Sequence, residues 1–244
     1  MIRTAVPGLL AVALLLLPGA AAAQEVTLSL GEGDSLSVRT IQLILLITVL
    51  SLAPGLAIMI TCFPFIVTVL AILRQGIGLQ QSPPNMLIVS LALFLTYFVM
   101  EPVFTEAWLA GIEPLLENGI DTETAIVRAL EPFRHFMAGR ADAGTYDALA
   151  ALRPDSAGTP LSPDAPLSVL VPSFMLSEIA RAFQIGFLVF LPFLIIDLVV
   201  AAVLMSMGMM MVPPVVVSLP FKLAFFVIAD GWTLIADSLV RGYF

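Results

Sequence analysis

The sequence predicts an all-α membrane protein made of broken hydrophobic helices that fold into helical hairpins. Three observations predict it. Of 244 residues, 60% are hydrophobic and 11% charged, and the mean hydropathy is +1.07, far too apolar for a soluble domain of this length. From Ala182 to Ala229 the chain runs 48 residues with two charges, Asp197 and Lys222. At the centre of that stretch five methionines occupy the seven positions from Met205 to Met211, around Gly208, and Val212, Pro213 and Pro214 follow. Prolines stop a helix and thioethers are flexible, so this centre predicts a turn that can bend and seal.

Composition also excludes. A net charge of -8 and a pI near 4.5, with scattered basic residues, oppose binding to nucleic acid. The single cysteine, Cys62, cannot form an internal disulfide and lies in an apolar run, where it reads as a small buried hydrophobe rather than a reactive or ligating group. His135 has no second His or Cys nearby and reads as a solvated surface residue rather than a metal ligand.

The elements follow in order. Residues 1–23 read as a cleavable signal peptide, with Arg3 as the positive n-region, Leu9 to Leu17 as the apolar region, a break at Pro18-Gly19, and a cleavage site between Ala23 and Gln24. The alternative, an uncleaved membrane helix, has about nine strongly apolar residues against the ~20 needed to span. Cleavage puts the mature N-terminus outside the cytoplasm. Residues 24–40 form a short polar segment.

Residues 41–100 predict a first pair of hydrophobic helices. No charge occurs from Ile41 to Leu73, and Pro54-Gly55 and Pro64 are expected to cut that run into pieces. After a polar connection, Ser82 is a candidate N-cap and Pro83 a candidate first residue for a helix over about Met86 to Met100.

Residues 101–168 form an acidic segment. From Glu101 to Pro166 there are eleven acidic residues against Arg128, Arg134, Arg140 and Arg153, and two preceding spans after a cleaved signal place it on the periplasmic side. Residues 113–137 predict a partly helical stretch, and residues 139–166, rich in Gly, Ala, Asp and Pro, predict a loop.

Residues 169–244 predict a second hydrophobic hairpin, with arms over about Ser177 to Met207 and Pro214 to Arg241 joined by the methionine-rich turn. Glu178 and Arg181, three apart, predict a pair on the helix surface. Asp197 and Lys222 stand about equally far from the turn on opposite arms. A charge in hydrocarbon costs at least ~2.5 kcal/mol, so each requires a partner or a wet cavity, and the two are expected to pair within the chain or between subunits.

Three stretches carry a family resemblance: "LRQGIGLQQSPPNMLIVSLALFLTYFVMEP" from Leu73 to Pro102, "VPSFMLSEIARAFQIGFLVFLPFLIIDLVVAAVLMSMGMMMVPP" from Val171 to Pro214, and "SLPFKLAFFVIADGW" from Ser218 to Trp232. In order and spacing they resemble the FliP family of flagellar type III secretion export-gate proteins, counterpart of the R-type (SctR) subunit of virulence systems. Hydrophobic helices share Leu and Val by chance, but not the order Glu178, Gln184, Asp197, Met209 to Met211 and Lys222. One departure stands out: after Thr61 and Phe63 the family usually carries an arginine where this chain has Phe65.

The resemblance implies a bacterial inner-membrane protein of the flagellar basal body, several copies of which join FliQ- and FliR-like partners in a conical pore complex. It implies contact with FlhB- and FlhA-like export components and passage of unfolded flagellar proteins. It further implies that Met209, Met210 and Met211 form a gasket around the closed pore. The cleavable signal and the long polar segment resemble the flagellar branch more than the virulence branch. No cofactor, metal or catalytic residue is implied.

The residues by themselves allow other readings. The methionines can equally fill an irregular helix interface. A small-solute transporter or ion channel shares the broken helices but usually places several ionisable residues along a path, or shows internal repeats. An intramembrane aspartyl enzyme using Asp197 and Asp230 needs the two carboxylates together, whereas Asp230 lies near a helix end and Asp197 deep in another helix.

Overall fold

The computed structural model describes residues 35–79, 83–117, 119–209 and 211–243. The signal sequence with its Ala23–Gln24 junction, the polar residues to 34, the Ser82 cap and Met210 lie outside the described residues. Within them every regular element is helical. The chain divides into two compact units at Leu50–Ser51.

Helix α1, Ser35–Met59, crosses that boundary. Its part in the first unit is an apolar run with Ile41, Ile44, Leu45, Leu46, Ile47 and Leu50 all exposed. Pro54-Gly55 does not break it, contrary to the sequence expectation. A proline inside a helix costs about 3 kcal/mol, whereas opening a whole turn in an apolar setting strands several backbone groups at several kcal/mol each. The break comes instead at residues 60–62, where Pro64 can open the next helix because its missing N–H has no partner to lose at that position.

The second unit is organised around α2, Phe63–Ile77. Phe65, Ile66, Val69, Leu70, Leu73 and Ile77 recur at helical spacing and are all buried. The helix stops at Gly78, whose φ of 89° suits a residue without Cβ and lets its N–H donate to the Gln75 carbonyl.

Helix α3, Asn85–Ala107, starts two residues later than the expected Pro83. Pro84 is extended (φ -55°, ψ 150°), and the residue before a proline is disfavoured in the α region, so the pair cannot lie inside the first turn. The helix also runs past Met100, through Pro102, into a π-helical turn at Trp108–Ile112 and a last short helix α4, Glu113–Leu116.

The acidic segment carries α5, Thr122–Arg140, and α6, Ala143–Ala151. α6 replaces part of the loop expected over 139–166. Its cap explains it: Asp142 accepts hydrogen bonds from the Thr145 N–H and hydroxyl at 2.8 and 2.9 Å. Asp121 caps α5 in the same way through Thr124.

Helix α7, Leu167–Ser206, has 40 residues and continues through Pro172 and Pro192. At 1.5 Å per residue it is about 60 Å long, roughly twice the hydrocarbon thickness. It begins some ten residues before the expected Ser177. The returning arm is α8, Pro214–Ile228, and α9, Gly231–Arg241, which meet at a 62° bend.

The main core packs α2 against α3, α7 and the α8–α9 arm through Ile66, Leu70, Ile88, Met100, Phe193 and Leu239. A second core joins α5, α6 and the start of α7 through Met137, Tyr146, Leu170 and Phe174. Among the described residues three helical stretches are long and apolar enough to cross a membrane: Arg39–Met59, Asn85–Leu116 and Leu167–Ser206. The bent α8–α9 pair makes a fourth if counted as one span.

Candidate functional site

The methionine-rich turn is built by local chemistry. After Ser206 the chain closes α7 with a pair of hydrogen bonds, Gly208 N–H to the Met205 carbonyl at 3.0 Å and Met209 N–H to the Leu204 carbonyl at 2.9 Å. This is the double bond pattern of a helix C-terminus, and it needs a left-handed residue, here Gly208 at φ 75°. Pro213 is extended and Pro214 opens α8.

The described methionines of this turn are largely open to the surroundings. Met205, Met207 and Met209 are exposed, and Met211 is 97% exposed. Below them the arms enclose a wholly apolar groove of about 590 Å³, lined by residues that include Val199, Val203, Met207, Met209 and Phe221.

Further down the hairpin the two charges of the apolar stretch meet. Lys222 Nζ on α8 lies 2.6 Å from Asp197 Oδ2 on α7, with the lysine side chain 4% and the aspartate 26% exposed. The other carboxylate oxygen accepts a bond from the Ser218 hydroxyl at 2.5 Å. Lys222 also donates to the Gly76 carbonyl at 3.0 Å. That carbonyl is in the last turn of α2, where backbone acceptors lack helical partners and the helix dipole favours a cation. One lysine therefore ties three helices together. Sequence reading gave no sign of Ser218 or of the Gly76 carbonyl.

The second charge cluster corrects an expectation. Glu178 and Arg181 stand 3.2 Å apart, yet the glutamate side chain is fully buried, so they are not a surface pair. Arg140, at the end of α5, covers Glu178 with a 3.0 Å ion pair, and the Tyr243 hydroxyl donates to its other oxygen at 2.5 Å. Arg140 further donates to the Gly242 carbonyl at 2.8 Å and sits 4.1 Å above the Tyr243 ring. Burial, and then the negative charge of Glu178, push the Tyr243 phenol well above its usual range, so it stays protonated and acts as a donor. Phe65 meets the same ring edge-on at 5.7 Å. Sequence reading missed Arg140 and Tyr243, which lie 38 and 65 residues from Glu178.

Cys62 is buried among core side chains and His135 is exposed. Asp230 lies at the α8–α9 bend, its carboxylate accepting from Thr233. Among the described residues no three His, Cys, Asp or Glu side chains are grouped so as to hold a metal ion.

Comparison with known proteins matches this chain to one family. The FliP family matches residues 46–239. The chain is 51% identical over 240 residues to the flagellar biosynthetic protein FliP of Caulobacter vibrioides, covering 96% of this chain and 88% of that one. To the protein of the same name from Agrobacterium fabrum it is 48% identical over 238 residues, covering 94% and 96%. To that of Bacillus subtilis it is 47% identical over 208 residues, covering 84% and 92%.

Proposed function

This chain belongs to the FliP family, and on that premise we propose that it is a core subunit of the flagellar type III protein export gate in the bacterial inner membrane. Several copies join FliQ- and FliR-like subunits in a conical pore complex of the basal body, next to FlhB- and FlhA-like components, and unfolded flagellar proteins pass through it. Met209, Met210 and Met211 of each copy form the gasket of the closed pore.

The observation that carries this reading is the exposed methionine turn at the tip of a hairpin pinned by the buried Lys222 and its partner Asp197. Met211 is 97% exposed, and Met209, at the edge of the apolar groove, is also exposed, so both are available to copies or partners. The closed state follows from a ring of such turns. Unbranched, polarizable side chains pack against one another without leaving a polar path, and a constriction so lined stops ions by losing its water. The same side chains change rotamer at little cost, so the ring can reshape around a passing polypeptide. The Lys222 tie to Asp197 and Gly76 holds both arms while the tip moves.

The test is ion leakage in cells expressing the whole gate. Replacing Met209, Met210 and Met211 by alanine is expected to raise leakage while the complex still assembles. Unchanged leakage through an assembled complex would remove the sealing role. Failure of the intact chain to restore motility to a strain lacking its own family member would remove the export reading itself.

A further inference from the structure

We propose that Gly242 and Tyr243 form a clasp that locks the last turn of α5 onto α7, so that the acidic segment completes its docking only when these two residues are in place. The inference does not depend on the export reading.

Glu178 on α7 is fully buried. A fully buried carboxylate needs both oxygens engaged, because unpaired buried charge is among the costliest arrangements in a fold. One oxygen is engaged by Arg140 and Arg181, and the other accepts from the Tyr243 hydroxyl. The burial of Glu178 is therefore completed by a residue 65 positions further on.

Arg140 gives the second half. Its Nε and Nη2 face Glu178, its Nη1 donates to the Gly242 carbonyl, and its planar head lies over the Tyr243 ring. A guanidinium suits this task, since it presents several donors in one plane and still stacks on an aromatic face. Removing the tail takes from Arg140 both a carbonyl 102 positions away and its stacking partner.

Three side chains from two elements grip the ring itself. Phe65 of α2 meets it edge-on, Phe136 of α5 stacks on it at 6.1 Å, and Arg140 lies over it. The last turn of α9 shows the contrast: Arg241 pairs with Asp237 in an exposed bridge and takes no part in the cluster. Past Arg241, the Gly242 carbonyl and the Tyr243 side chain supply the contacts to Arg140 and Glu178. Phe136 also packs edge-on against Phe174 in the second core, so the clasp joins the acidic segment's own core to the main one.

Hydrogen exchange of the full-length chain in lipid nanodiscs tests this. Tyr243→Ala is expected to speed amide exchange over residues 133–141 about tenfold while residues 66–73 of α2 keep their protection. Tyr243→Phe, which keeps the ring and loses the donor, should give a smaller rise in the same place. Unchanged exchange in the last turn of α5 overturns the proposal. So does an equal rise in α2, which would make Tyr243 a general core residue. Arg140→Lys keeps the charge but loses the planar stack, and is expected to loosen residues 133–141 together with the amides of 242 and 243. Full protection of both in that variant would also overturn the clasp.

Discussion

Lys222 and Asp197, on opposite arms of one hairpin, meet at 2.6 Å, and the same ammonium reaches the Gly76 carbonyl at the end of a third helix. The lysine is almost sealed from solvent. Losing one member therefore leaves the other charge without its partner inside apolar surroundings.

Lys222→Met is expected to destabilise the chain by about 3 kcal/mol, at the low end for one-sided removal of a buried pair because Asp197 keeps some exposure. Adding Asp197→Leu in the same chain should recover at least half of the loss. Unfolding in detergent with increasing SDS measures both, and a double variant no better than the single one would show that the pair does not act directly.

The approach of α7 to α2 depends on Gly186. A Cβ there would lie 2.4 Å from the Ile72 Cδ1 and 3.3 Å from its Cβ. Gly186→Ala should cost about 1–3 kcal/mol by overpacking. Ile72→Val removes the clashing methyl, so the double variant should be more stable than Gly186→Ala alone. Gly139→Ala in α5, with open space around its Cβ, should be neutral or slightly stabilising, by at most about 1 kcal/mol. Thermal melts of the three variants rank them.

Because the described turn methionines are exposed, a chain carrying Met209→Ala and Met211→Ala should keep its stability to within about 0.5 kcal/mol outside the complex. Any leak phenotype then belongs to the assembled pore. A melt lowered as much as that of Lys222→Met would instead assign these residues to packing within the chain.

The caps of α5 and α6 set an acid response. Asp142 is held below its ordinary range, chiefly by the Thr145 N–H and then by the Thr145 hydroxyl. A lowered folded-state value means that its contribution is fully present above the ordinary aspartate value of about 3.9. It is lost as the pH falls through the lowered value. Asp121 behaves likewise through Thr124, whose hydroxyl contributes first and whose N–H second. The first turns of both helices are expected to fray in that acid window by amide exchange. Asp142→Asn should remove the response in α6 alone.

Individual residues show where sequence reading works and where it stops. Gly208, Pro213 and Pro214 act through their own backbone chemistry, and the turn is where they place it. Pro54 carries the same chemistry, yet α1 runs through it. Whether a proline breaks a helix depends on what replaces the lost bonds, and that is not written beside it. Asp142 and Thr145 carried a usable capping signal for α6, but the Gly, Ala and Pro around them read as loop. Glu178 and Arg181 are three apart and visible as neighbours, whereas Arg140 and Tyr243 converge on Glu178 from far along the chain.

The sequence by itself determined that the chain is helical and apolar enough for a membrane, and where its methionine turn falls. Those properties are sums of local terms: hydropathy, proline geometry and a left-handed glycine. Only the tertiary structure decided that Glu178 is buried, that Lys222 caps α2 as well as facing Asp197, and that Gly242 and Tyr243 meet Arg140 of α5. These follow from which surfaces pack together. Burial and partners arise from contacts tens of residues apart, and short-range spacing does not encode them.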